Sequence, residues 1–161
     1  MSKGSAAVSS VAERLIVSKD FVPGNWRPER SAVDWALIVL KDPVASRPIP
    51  VKALTKEELK AASIEGNISQ IGYGMERLYS PTVLRNCLAD QPEDDRILTV
   101  RCLANFGYSG SPVLAEVNGT PTVVGVFSAA EFETKNAFAC SASQFEEKLK
   151  QLTGAAIGQG R

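Results

Sequence analysis

Apolar residues recur along the chain in short runs broken by turn formers, a pattern of strands rather than helices. Arg14-Leu15-Ile16-Val17 opens the series. Asp34-Trp35-Ala36-Leu37-Ile38-Val39-Leu40 is the most apolar run and predicts a buried strand. Ile68 to Tyr73 and Pro81 to Leu88 predict two more, and Ile97 to Leu103 pairs back across the turn Gln91 to Asp95. Ser111 to Val117 and Thr120 to Phe127, joined by Asn118-Gly119, give the clearest hairpin signal. Asn136 to Ala139 reads as the last strand. Helical signals are sparse. Thr55-Lys56-Glu57-Glu58 is a capping box that predicts a helix from Thr55 to Ala62. Ser143-Gln144-Phe145-Glu146 is a second box, opening a helix to about Leu152. Gly154 to Arg161 reads as a Gly-rich tail that frays. Strands at this spacing, without the crossover helices of a parallel sheet, predict an antiparallel barrel or sandwich.

Composition narrows the function. A chain of 161 residues fits one globular domain or two very small ones. Eighteen basic and 18 acidic side chains cancel, which argues against nucleic acid as the main partner. Met1 to Glu13 has no apolar core of signal-peptide length, and no run approaches a membrane span, so the chain as written reads as cytoplasmic. There is no histidine, which removes the commonest metal ligand and the commonest general base. The cysteines are Cys87, Cys102 and Cys140. Either all three are reduced, or Cys87 and Cys102 form a disulfide and Cys140 stays free. Glu57, Glu58 and Glu65 read as a solvated helix face, Glu93-Asp94-Asp95 as a polar turn, and Trp26 and Trp35 as packing residues. Lys56, Lys60, Lys148 and Lys150 read as ordinary surface charge on helices.

Phe106-Gly107-Tyr108-Ser109-Gly110-Ser111-Pro112-Val113 carries the candidate chemistry. A serine among small residues, between two strands, can present its hydroxyl at a tight turn. Gly107 and Gly110 permit backbone conformations that other residues resist, and they let a carbonyl approach backbone N–H groups. The nucleophile elbow of the α/β-hydrolases does not fit, because no histidine follows the serine.

Gly107-Tyr108-Ser109-Gly110-Ser111-Pro112-Val113 resembles the nucleophile motif of the trypsin/chymotrypsin-like serine proteases. Asp34-Trp35-Ala36-Leu37 is similar to their acid motif, and Val123-Val124-Gly125-Val126-Phe127-Ser128 to the strand lining their substrate channel. Gly72-Tyr73-Gly74 and the final helix match as well, over residues 14 to 150. The Gly-Ser-Pro ending resembles the bacterial branch, near the glutamyl endopeptidase-like enzymes. The resemblance implies an all-β, trypsin-like double antiparallel barrel whose first barrel is incomplete, with a short C-terminal helix. Residues 1–54 would be the remnant of the first barrel, 55–153 the second barrel, and 154–161 a flexible tail.

The function implied is acyl transfer on a polypeptide. Ser109 would attack the scissile carbonyl, the N–H groups of Gly107 and Ser109 would hold the oxyanion, and Asp34 would orient a histidine. That histidine is missing. At family spacing it falls before Met1, so the expectation is a fragment, inactive alone. The rival is a non-catalytic pseudoprotease that binds peptides. The resemblance also implies a Cys87–Cys102 disulfide with Cys140 free, hence a secreted or periplasmic setting. It implies no metal, no cofactor, no membrane and a monomer. Leu103, Phe127, Ser128, Ala129 and Ala130 would line the substrate pocket, which favours apolar side chains. Tyr108 stands where the family has an aspartate that pairs with a freed N-terminus, and it cannot make that ion pair.

Overall fold

The structure is a computed structural model that describes residues 9–24, 27–44, 47–102, 106–131 and 136–158, with side chains to residue 154. Its strands are β1 (Ala12–Val17), β2 (Ala36–Leu40), β3 (Ile68–Gly72), β4 (Thr82–Arg85) and β5 (Leu88–Asp90), then β6 (Ile97–Arg101), β7 (Pro112–Val117), β8 (Thr120–Glu131) and β9 (Asn136–Ser141). The helices are α1 (Lys56–Ile64) and α2 (Glu146–Gly158). Every ladder between named strands is antiparallel.

Seven strands form one sheet in the order β4-β3-β7-β8-β9-β6-β5. β4 and β5 lie at its opposite edges, yet only Asn86 and Cys87 separate them in the chain. The sheet must therefore curl until its two edges meet at that corner. Asn86 turns it with φ 55°, a left-handed conformation that Asn tolerates better than most residues. The single strand expected over Pro81 to Leu88 is thus two strands broken at this corner. The Cys87 N–H still donates to the Ile68 carbonyl at 3.0 Å. Cys87 is also disulfide-bonded to Cys102, just past β6, with Cα atoms 5.0 Å apart, as the resemblance implied.

Inside the curl lie Ile68, Val100, Val113, Val124, Ala137 and Ala139, with Leu59 of α1 closing one end. The α1 capping box forms as expected: the Thr55 hydroxyl accepts from the Glu58 N–H, and the Glu58 carboxylate from the Thr55 N–H. Glu58 also pairs with Lys52. The β7–β8 turn has Asn118 at φ 51° and Gly119 at φ 72°, the positive angles of a tight hairpin.

The second expected capping box does not form. The Ser141 hydroxyl takes the Ser143 N–H, and Glu146 turns away to accept from the Ala53 N–H at 2.8 Å. A tertiary partner has displaced the local one. Helix α2 runs on to Gly158, past the end expected near Leu152 and into the tail expected to fray from Gly154.

β1 and β2 form a separate two-stranded sheet. The run Asp34 to Leu40 is not a buried strand: it becomes extended only at Ala36 and alternates between exposed and half-buried. Leu37 packs with Trp35, Val51, Ala53 and Val126 around Cys140, Ala142 and Phe145. The opposite face is bare, with Ile38 61% exposed and its cross-strand neighbour Leu15 60% exposed. The fold of the described residues is all-β, with one curled seven-stranded sheet, a separate two-stranded sheet and a short C-terminal helix. Trp26 lies outside the described residues.

Candidate active site

The turn Phe106 to Ser111 leads into β7 and holds Ser109 at an exposed tip. Gly107 has φ 96° and Gly110 φ 82°. A side chain on Gly107 would place its Cβ 2.5 Å from the Tyr73 carbonyl oxygen, so the position requires glycine on steric grounds too. The Ser111 N–H donates to the Tyr108 carbonyl, and the Gly110 N–H to the Phe127 carbonyl, each at 2.9 Å. Among the described residues, the N–H groups of Gly107 and Ser109 have no hydrogen-bond partner. Behind the turn, buried Gln70 donates to the Ser111 hydroxyl at 2.8 Å.

Asp34 is delivered by a short 3₁₀ turn, Pro28–Val33, with proline at its start. Ser31 and Ala32 of this turn are buried, and the Cys140 thiol donates to the Ala32 carbonyl at 3.4 Å. Burial, reinforced by the nearby Asp34 charge, pushes the Cys140 thiol up to about 12. Asp34 itself is half-buried.

Ser128 joins these two parts. The β8–β9 register shifts between Phe127 and Ala129, leaving Ser128 as the extra residue of a bulge. Such bulges re-aim a side chain. Here the Ser128 hydroxyl donates to Asp34 Oδ2 at 2.6 Å, in the range of a charge-assisted hydrogen bond. The Ser128 carbonyl accepts from the Ser109 hydroxyl at 3.2 Å. Asp34 and Ser109 therefore share one intermediary and open on one cavity of about 560 Å³. Val17, Phe21, Trp35 and Ile38 line it, with Phe127 and Ser128 across from them. No side chain in this lining besides Asp34 is ionisable.

Of the residues singled out in the sequence, Asp34, Ser109, Phe127 and Ser128 meet at this cavity. Gly107 lies in the same turn as Ser109. Ala129 and Ala130 are half-buried further along β8 and do not line the cavity, and Leu103 lies outside the described residues. Two contacts had no sequence signal: the bulge that turns Ser128 toward Asp34, and the hydrogen bond from the Tyr108 hydroxyl to Glu76. Among the described residues, no group of three or more His, Cys, Asp or Glu side chains could hold a metal ion. No described helix is long and apolar enough to cross a membrane.

No family model matches the chain, and no curated protein matches it. Among solved structures, it is similar to the active form of the Rv3671c protease from M. tuberculosis. The two share 18% sequence identity with a TM-score of 0.48 over 78% of this chain. The match spans 55% of the length of that protease chain.

Proposed function

We propose that Ser109 and Asp34 are the nucleophile and the orienting carboxylate of a trypsin-like serine endopeptidase whose general base lies outside these 161 residues. The observation that carries this reading is Ser128, which bonds Asp34 through its hydroxyl and Ser109 through its carbonyl across an otherwise uncharged cavity. A base seated there would meet Asp34 on one side and Ser109 on the other. In the acyl-transfer cycle that base takes the Ser109 proton as the oxygen attacks the scissile carbonyl, then returns it to the leaving amine. The N–H groups of Gly107 and Ser109 hold the oxyanion. The substrate is a polypeptide, and the apolar cavity wall favours apolar side chains. The Gly-Ser-Pro ending supports the bacterial branch, and the disulfide supports a secreted or periplasmic setting.

One observation favours a second reading. The Ser109 hydroxyl is engaged with the Ser128 carbonyl, and a serine so held with no base is not a nucleophile. In that reading the chain is a non-catalytic, peptide-binding module. The gene sequence upstream of Met1 separates the two. An in-frame Thr-Ala-Ala-His-Cys-like segment supports the enzyme, and a stop codon directly before Met1 supports the binding module. In the extended protein, a fluorophosphonate should label Ser109 and spare the Ser109→Ala variant. An extended, folded protein that takes no label overturns the enzyme reading.

A further inference from the structure

Tyr108 precedes Ser109 and is the largest fully buried side chain described, with 0% exposure. It is packed against Gly72, where a Cβ would come within 2.7 Å of the Tyr108 ring and 3.0 Å of Ser111 Cβ. Its hydroxyl donates to Glu76 Oε1 at 2.6 Å, the length of a bond from a neutral donor to a charged acceptor. Glu76 lies in the 3₁₀ turn Met75–Arg77 on the protein surface, and its carboxylate folds back over Gly74. The same turn reaches the nucleophile loop through the main chain, where the Met75 N–H donates to the Phe106 carbonyl at 2.8 Å. Two bonds from one short segment thus fix the residues on both sides of Gly107, the position with φ 96° and no room for a side chain.

We propose that Glu76 and Tyr108 form a clamp that holds the Ser109 turn in its observed shape, making both of them positioning residues. A chain without an aspartate at position 108 has no carboxylate there for a partner to neutralise. Here the turn supplies a neutral donor, and the neighbouring surface segment supplies the anion. Burial and the hydrogen bond to Glu76 both push the Tyr108 phenol up, so it remains a donor through the neutral range. The hydrogen bond with Tyr108 holds the Glu76 carboxyl below its usual range, so it remains the acceptor. The name of the device as a positioning one rests on the role proposed for Ser109, but the clamp itself is testable without activity.

The test is amide hydrogen exchange on the 161-residue chain. The reporters are Met75, Gly110 and Ser111, whose N–H groups bond Phe106, Phe127 and Tyr108. Glu76 is exposed, so Glu76→Ala leaves the core untouched. It should speed exchange at the three reporters about ten- to a hundredfold, the worth of one hydrogen bond to a charged group, while the β7–β8 ladder keeps its rates. Glu76→Gln, which keeps an acceptor oxygen, should restore most of the protection. Tyr108→Phe should match Glu76→Ala, and the double variant should be no worse than either alone. Unchanged reporters in Glu76→Ala overturn the clamp, as does an equal loss of protection across the β7–β8 ladder. Failure of Ser109 to react with a fluorophosphonate leaves this result intact, so the two proposals fail separately.

Discussion

Replacing Cys87 and Cys102 together by Ala should cost the chain about 3 kcal/mol of stability. The crosslink joins residues 15 apart in sequence. Closing a loop of that size removes denatured-state entropy worth about 3 kcal/mol at 25 °C. Position adds a second effect. Cys87 is 2% exposed at the corner where the two sheet edges meet, and Cys102 opens the segment leading to Ser109. The link therefore ties the seam of the barrel to the base of the nucleophile loop. Urea unfolding followed by far-UV circular dichroism reads the change. With a slope of about 2 kcal/mol per M, the midpoint should fall by about 1.5 M. Reduction of the wild-type chain should reproduce the shift. A midpoint displaced by less than about 0.5 M in both experiments would refute the role given to the crosslink.

Further outcomes follow from named contacts. Gly107→Ala should lose about 2–4 kcal/mol in the same urea titration, because its Cβ meets the fixed Tyr73 carbonyl at a positive φ. Gly110→Ala, also at positive φ but with open space around it, should lose only about 1 kcal/mol. Thr55→Ala removes the α1 cap and should cost about 1 kcal/mol. Cys140 should resist iodoacetamide in the folded chain. Mass spectrometry should then count one modified cysteine after denaturation and three after denaturation with reduction. The raised Cys140 value also sets a pH dependence. Below its ordinary value of 9.0 the thiol is protonated in both states; from there toward about 12 only the unfolded chain ionises, so stability falls. Cys140→Ala should lose less stability than wild type over that window.

What could be read from the sequence was what local chemistry decides. Asn118-Gly119 imposes positive φ and so marks its hairpin, and Thr55 with Glu58 marks its helix start. Ser109 stood out for the small residues around it, whereas Asp34 stood out only through the resemblance. The misreadings all came from tertiary context. Ile38 and Leu40 are as apolar as core residues, but a two-stranded sheet has two faces and the described chain covers one. Pro81 to Leu88 has no strong breaker, and only barrel closure explains the corner at Asn86. Ser143 lost its cap because the Ala53 N–H, far away in sequence, claimed Glu146. At the site, Ser128 was visible as a channel residue but its bulge was not, since a register shift belongs to two strands. Glu76 carried no signal, because an exposed glutamate in a loop is ordinary until a buried phenol is found pointing at it.

The role proposed for Ser109 is that of a nucleophile activated by a base seated between itself and Asp34. Free imidazole can serve as that base, and the cavity of about 560 Å³ is large enough to admit it. The decisive measurement is the rate of fluorophosphonate attachment to Ser109 in the 161-residue chain as imidazole is added, with the site confirmed by peptide mass spectrometry. Attachment should be negligible without imidazole and should rise saturably, about tenfold or more, which is less than a built-in base supplies. The gain should vanish in Ser109→Ala and drop sharply in Asp34→Asn. Attachment to Ser109 that ignores imidazole, or a gain that survives loss of Asp34, would contradict the account.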